Sequence, residues 1–149
     1  MKVTQNDNVV CFDVDDTLVM WSWSAKHNGE AITFNNWGHA VQLVPHKKHI
    51  ELMRQFKARG HYVVVWSQGG YEWAKAVCET LGITDLVDEV KTKPKWIIDD
   101  LPPSVWMVRS YMDLDGKRQH DDPYPQFKDE DDDAGTNPES TKSKEKSSV

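Results

Sequence analysis

The sequence predicts an α/β protein built on a mostly parallel sheet with helices between its strands. Three observations carry that prediction. Short, nearly continuous apolar runs at 8–12, 62–66 and 96–98 each stop at a polar residue, Asp13, Ser67 and Asp99, the pattern of parallel strands buried on both faces. Two intervening segments space their apolar residues as helices do and meet a glycine at the end. The recurrence of strand, helix and strand then implies parallel crossovers.

The elements follow in order. Asn8 to Phe12 is the first strand, with Asp13 at its carboxyl end. Leu18 to Trp23 and Ala31 to Val44 are aromatic and β-branched segments around His27-Asn28-Gly29-Glu30, which predicts a β-hairpin flap, exposed, after strand 1. Pro45 opens a helix of about residues 46 to 59, stopped by Gly60. Tyr62 to Trp66 is a second strand, and Tyr71 to Leu81 a helix closed by Gly82. Leu86 to Val90 reads as a third strand and Trp96 to Ile98 as a fourth, ended by Asp99-Asp100.

A chain of 149 residues suits one domain. Its apolar residues are unevenly spread: residues 116–149 hold 4 among 34, too few to offset the entropy of ordering them. The expected organisation is a folded domain over 1–115 and a disordered tail over 116–149, acidic at Asp129 to Asp133 and then rich in Ser and Lys. The net charge of −6 gives no basic face for gripping nucleic acid through many phosphates. Cys11 and Cys78 lack metal or redox spacing and read as two buried thiols. No apolar run approaches the length needed to span a bilayer, so a cytoplasmic setting without membrane contact is expected.

In an open parallel sheet, ligands bind at the carboxyl ends of the strands, so Asp13, Asp15, Ser67, Asp99 and Asp100 are expected to converge. Four carboxylates in one crevice repel unless a cation sits among them, and an all-oxygen donor set suits magnesium rather than zinc. Asp13, on a tight turn, can attack phosphorus and form an acyl phosphate. Asp15 can protonate the leaving oxygen and then deprotonate water. Ser67, with the amides of Gln68 and Gly69, offers neutral donors to the phosphoryl oxygens. Of Lys91, Lys93 and Lys95, Lys93 is the chosen ammonium, because Pro94 fixes its backbone direction.

These residues resemble the motifs of the haloacid dehalogenase (HAD) superfamily. Val9-Val10-Cys11-Phe12-Asp13-Val14-Asp15-Asp16-Thr17 resembles its first motif, DxDxT; Val65-Trp66-Ser67 is similar to the second, Lys93-Pro94 to the third, and Ile97-Ile98-Asp99-Asp100 to the fourth. The resemblance covers roughly residues 8 to 104. It implies a three-layer, Rossmann-like core and a magnesium-dependent phosphomonoester hydrolase that works through an aspartyl-phosphate. Asp13 would be the nucleophile and Asp15 the acid and base, with Ser67 and Lys93 holding the phosphoryl group and Thr17 bracing the turn. Magnesium would be held by the Asp13 carboxylate, the Asp15 carbonyl and Asp99, with Asp100 direct or through water. Dehalogenase members lack the second aspartate, so the resemblance favours phosphoryl transfer.

Two departures shape the expectation. The interval from Lys93 to Asp99 leaves no room for a helix, so the sheet is trimmed at that edge. The 49 residues between Thr17 and Ser67 leave nothing for a full cap domain after the flap and helix. Uncapped members take bulky substrates such as polynucleotide ends, or close the site by forming oligomers; the implied partner is a phosphorylated small molecule or polynucleotide end. The alternative reading is a non-catalytic metal- or phosphate-binding module of the same fold. Three residues are read more plainly: Trp21, Trp23 and Trp37 are expected to pin the hairpin to the core. His46 and His49 read as a solvated helix start beside Lys47 and Lys48, and Asp113 to Gly116 as too incomplete for a calcium loop.

Overall fold

The computed structural model describes residues 8–120, so the expected tail lies outside the described residues from 121 onward. The chain divides into two units, Met1–Ile97 and Ile98–Val149. The first is a mixed α/β unit. Its parallel sheet has the order β1-β5-β6, from β1 (Val9–Asp13), β5 (Tyr62–Ser67) and β6 (Glu89–Thr92). Register pairs Asp13 with Trp66 and Ser67 with Thr92, so three strands end side by side. β5 is central, and Val63, Val64 and Val65 are all buried on it, as a strand covered on both faces requires.

β1 is an edge strand, not the doubly buried one its apolar run predicts. Among the described residues β1 pairs with β5 alone in this sheet, and Cys11 is exposed. Cys78 alone is buried, and burial first, then the Glu79 carboxylate, pushes its thiol up to about 12, which leaves it unreactive.

α1 (Lys47–Ala58) buries Met53, and α2 (Tyr71–Leu81) buries Trp73, Ala74, Val77 and Cys78 on one face. Gly82 caps α2 in the left-handed region at φ 69°, its N–H returning to Cys78 and Glu79 carbonyls, a conformation that costs a side-chain-bearing residue about 1 kcal/mol. His46 and His49 are not solvated: both are buried and their rings stack with centroids 3.8 Å apart. His46 caps α1 by accepting from the His49 N–H at 3.1 Å, so the two rings face inward while Lys47 points to solvent.

Between β1 and α1 the chain makes an antiparallel sheet of order β2-β4-β3, from β2 (Val19–Met20), β3 (Ile32–Asn36) and β4 (His39–Pro45). The hairpin does not turn at 27–30, where Ala25–Glu30 coils into a 3-10 helix instead. It turns at Trp37-Gly38, both at positive φ, 54° and 86°, as the two-residue turn matching strand twist demands. The Asn35 carboxamide oxygen secures it by accepting from the Gly38 N–H at 2.7 Å. Nor is the hairpin merely an exposed flap: Phe34 and Leu43 are 1% exposed and belong to the core cluster with Phe12, Leu18, Met53 and Trp73.

β6 begins three residues later than its apolar run suggests, because Thr84–Leu86 form a 3-10 turn and Asp88 anchors the chain beyond it. The Asp88 carboxylate accepts from Lys57 Nζ and from the Val63 N–H, each at 2.8 Å. Burial would raise that carboxyl, but the Lys57 ammonium and the Val63 N–H outweigh it and hold it below the ordinary range. A depressed folded-state value contributes stability above the unfolded value and loses it as pH falls through the folded one. The urea midpoint is therefore expected to drop below about pH 4, and Asp88→Asn should shrink that drop; an unchanged pH profile in the variant would show the pair to be without effect.

The expected fourth strand does not form. Trp96, Ile97 and Ile98 adopt no regular structure and are 79%, 45% and 98% exposed. A parallel strand needs a crossover of about a dozen residues to regain the amino end of the sheet, and only Lys93, Pro94 and Lys95 separate Thr92 from Trp96.

The second unit contains α3 (Pro103–Trp106), a single turn, and a hairpin of β7 (Ser110–Met112) and β8 (Arg118–His120). The boundary that composition puts after residue 115 falls in this hairpin's turn. There Asp113 Oδ1 accepts from the Asp115 and Lys117 amides at 3.0 and 2.9 Å, the turn-closing use of an aspartate rather than a calcium loop. Among the described residues no helix is long and apolar enough to cross a membrane.

Candidate active site

β1 delivers Asp13 at its last residue, and the chain then folds back tightly. The amides of Thr17, Leu18 and Val19 all return to the Val14 carbonyl, at 3.1, 2.8 and 3.2 Å. Val14 and Leu18 are fully buried pegs that fix this loop to the core. Asp16 completes the reversal in the left-handed region at φ 60°, one of the few side chains that tolerates it; its N–H donates to the Val19 carbonyl at 2.7 Å. Its carboxylate accepts from the Trp21 N–H at 2.9 Å.

Thr17 braces the nucleophile candidate: its hydroxyl donates to Asp13 Oδ2 at 3.3 Å. Thr17 is itself held, because His49 Nδ1 lies 2.8 Å from its carbonyl; a carbonyl only accepts, so Nδ1 carries the proton. On the other side, Lys93 Nζ stands 3.8 Å from Asp13 Oδ1. Lys93 arrives there because β6 ends beside Ser67 and its own N–H donates to the Ser67 carbonyl at 2.8 Å. Burial pushes the Asp13 carboxyl up, and the opposing pull of Lys93, the Val14 N–H and Thr17 does not cancel it, while Asp15 adds to the rise. Asp13 is therefore an under-compensated acid.

Both oxygens of the Asp15 carboxylate are partnered. Oδ1 accepts from two indoles, Trp21 Nε1 at 2.8 Å and Trp73 Nε1 at 3.0 Å, and Oδ2 accepts from the Ser67 hydroxyl at 3.1 Å. Ser67 is completely buried, and its oxygen in turn accepts from the Gly69 N–H at 2.9 Å. As it stands, Ser67 serves the carboxylate and not an incoming ligand, and the Gly69 amide serves Ser67. Gln68 is exposed. Gly69 leaves little space: a Cβ there would lie 3.0 Å from Trp73 Cδ1 and 3.2 Å from Ser67 Oγ.

The first unit thus gathers Asp13, Asp15, Thr17, Ser67 and Lys93, residues spread over 81 positions of sequence. Asp99 and Asp100 belong to the second unit and are exposed. Asp99 Oδ1 accepts from the Leu101 N–H at 3.0 Å, and that bond first, then one with Asp100, holds its carboxyl below the ordinary range. Sequence reasoning missed Trp21 and Trp73, whose indole nitrogens no motif spacing marks as polar partners, and His49. A shallow concavity of about 370 Å³ lined by Ile32, Ile50, Arg54 and Leu81 contains none of the site residues.

Donor chemistry decides whether magnesium fits these residues. Among the described residues no three His, Cys, Asp or Glu side chains are gathered as a metal-holding group. The Asp13 carboxylate fits a hard cation, being an oxygen donor raised by burial. The Asp15 carboxylate does not offer itself, since three donors hold it; the motif resemblance gives the role to its main-chain carbonyl. No protein-family model, no curated protein and no solved structure matches the chain.

Proposed function

We propose that the protein is a magnesium-dependent phosphomonoesterase of the HAD type, with a Rossmann-like core and no full cap domain. The observation that carries the reading is the pairing at the end of β1: Asp13, backed by Thr17 and faced by Lys93, with a second carboxylate two residues on held by Ser67. In the first step an Asp13 carboxylate oxygen bonds to phosphorus, the bond to the leaving oxygen breaks, and that oxygen takes a proton from Asp15. In the second, water attacks the acyl phosphate, Asp15 takes its proton, and Asp13 and inorganic phosphate are regenerated. The Lys93 ammonium offsets charge on the transferring group. A bound magnesium ion, on the Asp13 carboxylate and Asp15 carbonyl, would neutralise phosphoryl charge. On the motif resemblance alone, Asp99 and Asp100 would be its further ligands. The free thiols of Cys11 and Cys78 accord with the cytoplasmic setting that forms part of this proposal.

The test is release of inorganic phosphate by the full chain from p-nitrophenyl phosphate, nucleotides, 3′- and 5′-phosphorylated oligonucleotides and sugar phosphates. Turnover with magnesium and none with a chelator is expected, and Asp99→Asn should raise the magnesium concentration required. No turnover on any substrate, with magnesium still raising the Tm, would identify a binding module instead.

A further inference from the structure

We infer that the indoles of Trp21 and Trp73 are positioning residues that clamp Asp15 by Oδ1 and hold its carboxylate in one orientation. The inference rests on the function proposed above, in which Asp15 is the acid and base. An indole Nε1–H is a donor only and can neither accept nor relay a proton. Oδ1 faces two of them, at 2.8 and 3.0 Å, which fixes that oxygen from two directions. Oδ2 faces a hydroxyl, Ser67 Oγ at 3.1 Å. Ser67 Oγ is itself fixed, accepting from the Gly69 N–H at 2.9 Å. The two carboxylate oxygens are thereby made unequal: one is held by two rings and the other by a single hydroxyl.

The clamp is itself rigid. Trp73 is 4% exposed and is wedged between Phe34 and Trp21, with ring centroids 6.4 and 6.3 Å away. Trp21 is tied through its main-chain N–H to Asp16. A buried indole such as Trp73 needs an acceptor whatever its role. Trp21 does not: at 42% exposed it has water within reach, so its bond to Asp15 answers no burial requirement.

Trp21→Phe keeps the ring and deletes the donor, and the readout is the dependence on the leaving group. With magnesium, kcat on glycerol phosphate, whose alkoxide must be protonated, is expected to fall about tenfold with KM nearly unchanged. On p-nitrophenyl phosphate, whose leaving group needs no proton, the fall should be about twofold or less. Trp73→Phe should show the same split with a lower Tm, whereas Trp21→Phe keeps the wild-type Tm. Wild-type kcat in Trp21→Phe on both substrates, or an equal loss on both, overturns the positioning role while leaving the phosphatase reading standing. A wild-type chain inactive on both substrates overturns that reading, and this inference with it.

Discussion

Replacing Asp13 by Asn is expected to lower turnover by about 10⁴-fold or more, because an amide oxygen cannot form the acyl phosphate and the remaining groups only bind and polarise. The fold should not suffer. The Asp13 carboxyl is raised by burial beyond what Lys93, the Val14 N–H and Thr17 recover. A carboxyl whose folded-state value lies above its unfolded one destabilises the protein at pH values where it is ionised. Asn removes that charge at the same shape, so the urea midpoint at pH 7 should stay level or rise. Phosphate release and unfolding measured on one preparation separate the two effects. Activity within tenfold of wild type would remove Asp13 from the role of nucleophile, and a collapsed midpoint would make the loss of activity a matter of folding.

Phe34→Ala should produce the largest loss of stability, about 3–5 kcal/mol, against a total of about 5–15 for a domain of this size. Phe34 reaches from β3 into the core, 1% exposed and edge-on to Trp73. Removing its ring leaves a void between β3 and α2 that the paired strands β3 and β4 cannot easily fill. Urea unfolding measures the cost. A loss under about 1 kcal/mol would mean that the hairpin stands apart from the core as a loose flap. Because the same void loosens Trp73, kcat should fall as well, through Asp15 and without direct contact with substrate.

Much of the first unit could be read from the sequence, for reasons visible in particular residues. β5 and both longer helices follow from apolar spacing and from Gly82, since burial on a central strand and a left-handed cap each leave a local mark. Lys93 was legible through Pro94, and it does stand 3.8 Å from Asp13. The hairpin turn was not, because Trp37 occupies a conformation for which Asn or Gly is the usual signal. Lys47 and Lys48 make the segment around His46 and His49 look solvated, whereas helix geometry turns the two histidines inward. The fourth apolar run had the composition of a strand but too short a connection to become one. The partners of Asp15 lie 6, 52 and 58 residues away, and contacts made by folding across such intervals leave no periodic trace.

The crowding around Gly69 links the backbone of one loop to the carboxylate of another. A methyl group there would press on Trp73 and on the Ser67 oxygen together, the donors to the two different oxygens of Asp15. An alanine at position 69 would need Trp73 and Ser67 both to give by a few tenths of an ångström, so a residue outside the proposed chemistry bears on the carboxylate from both of its ends.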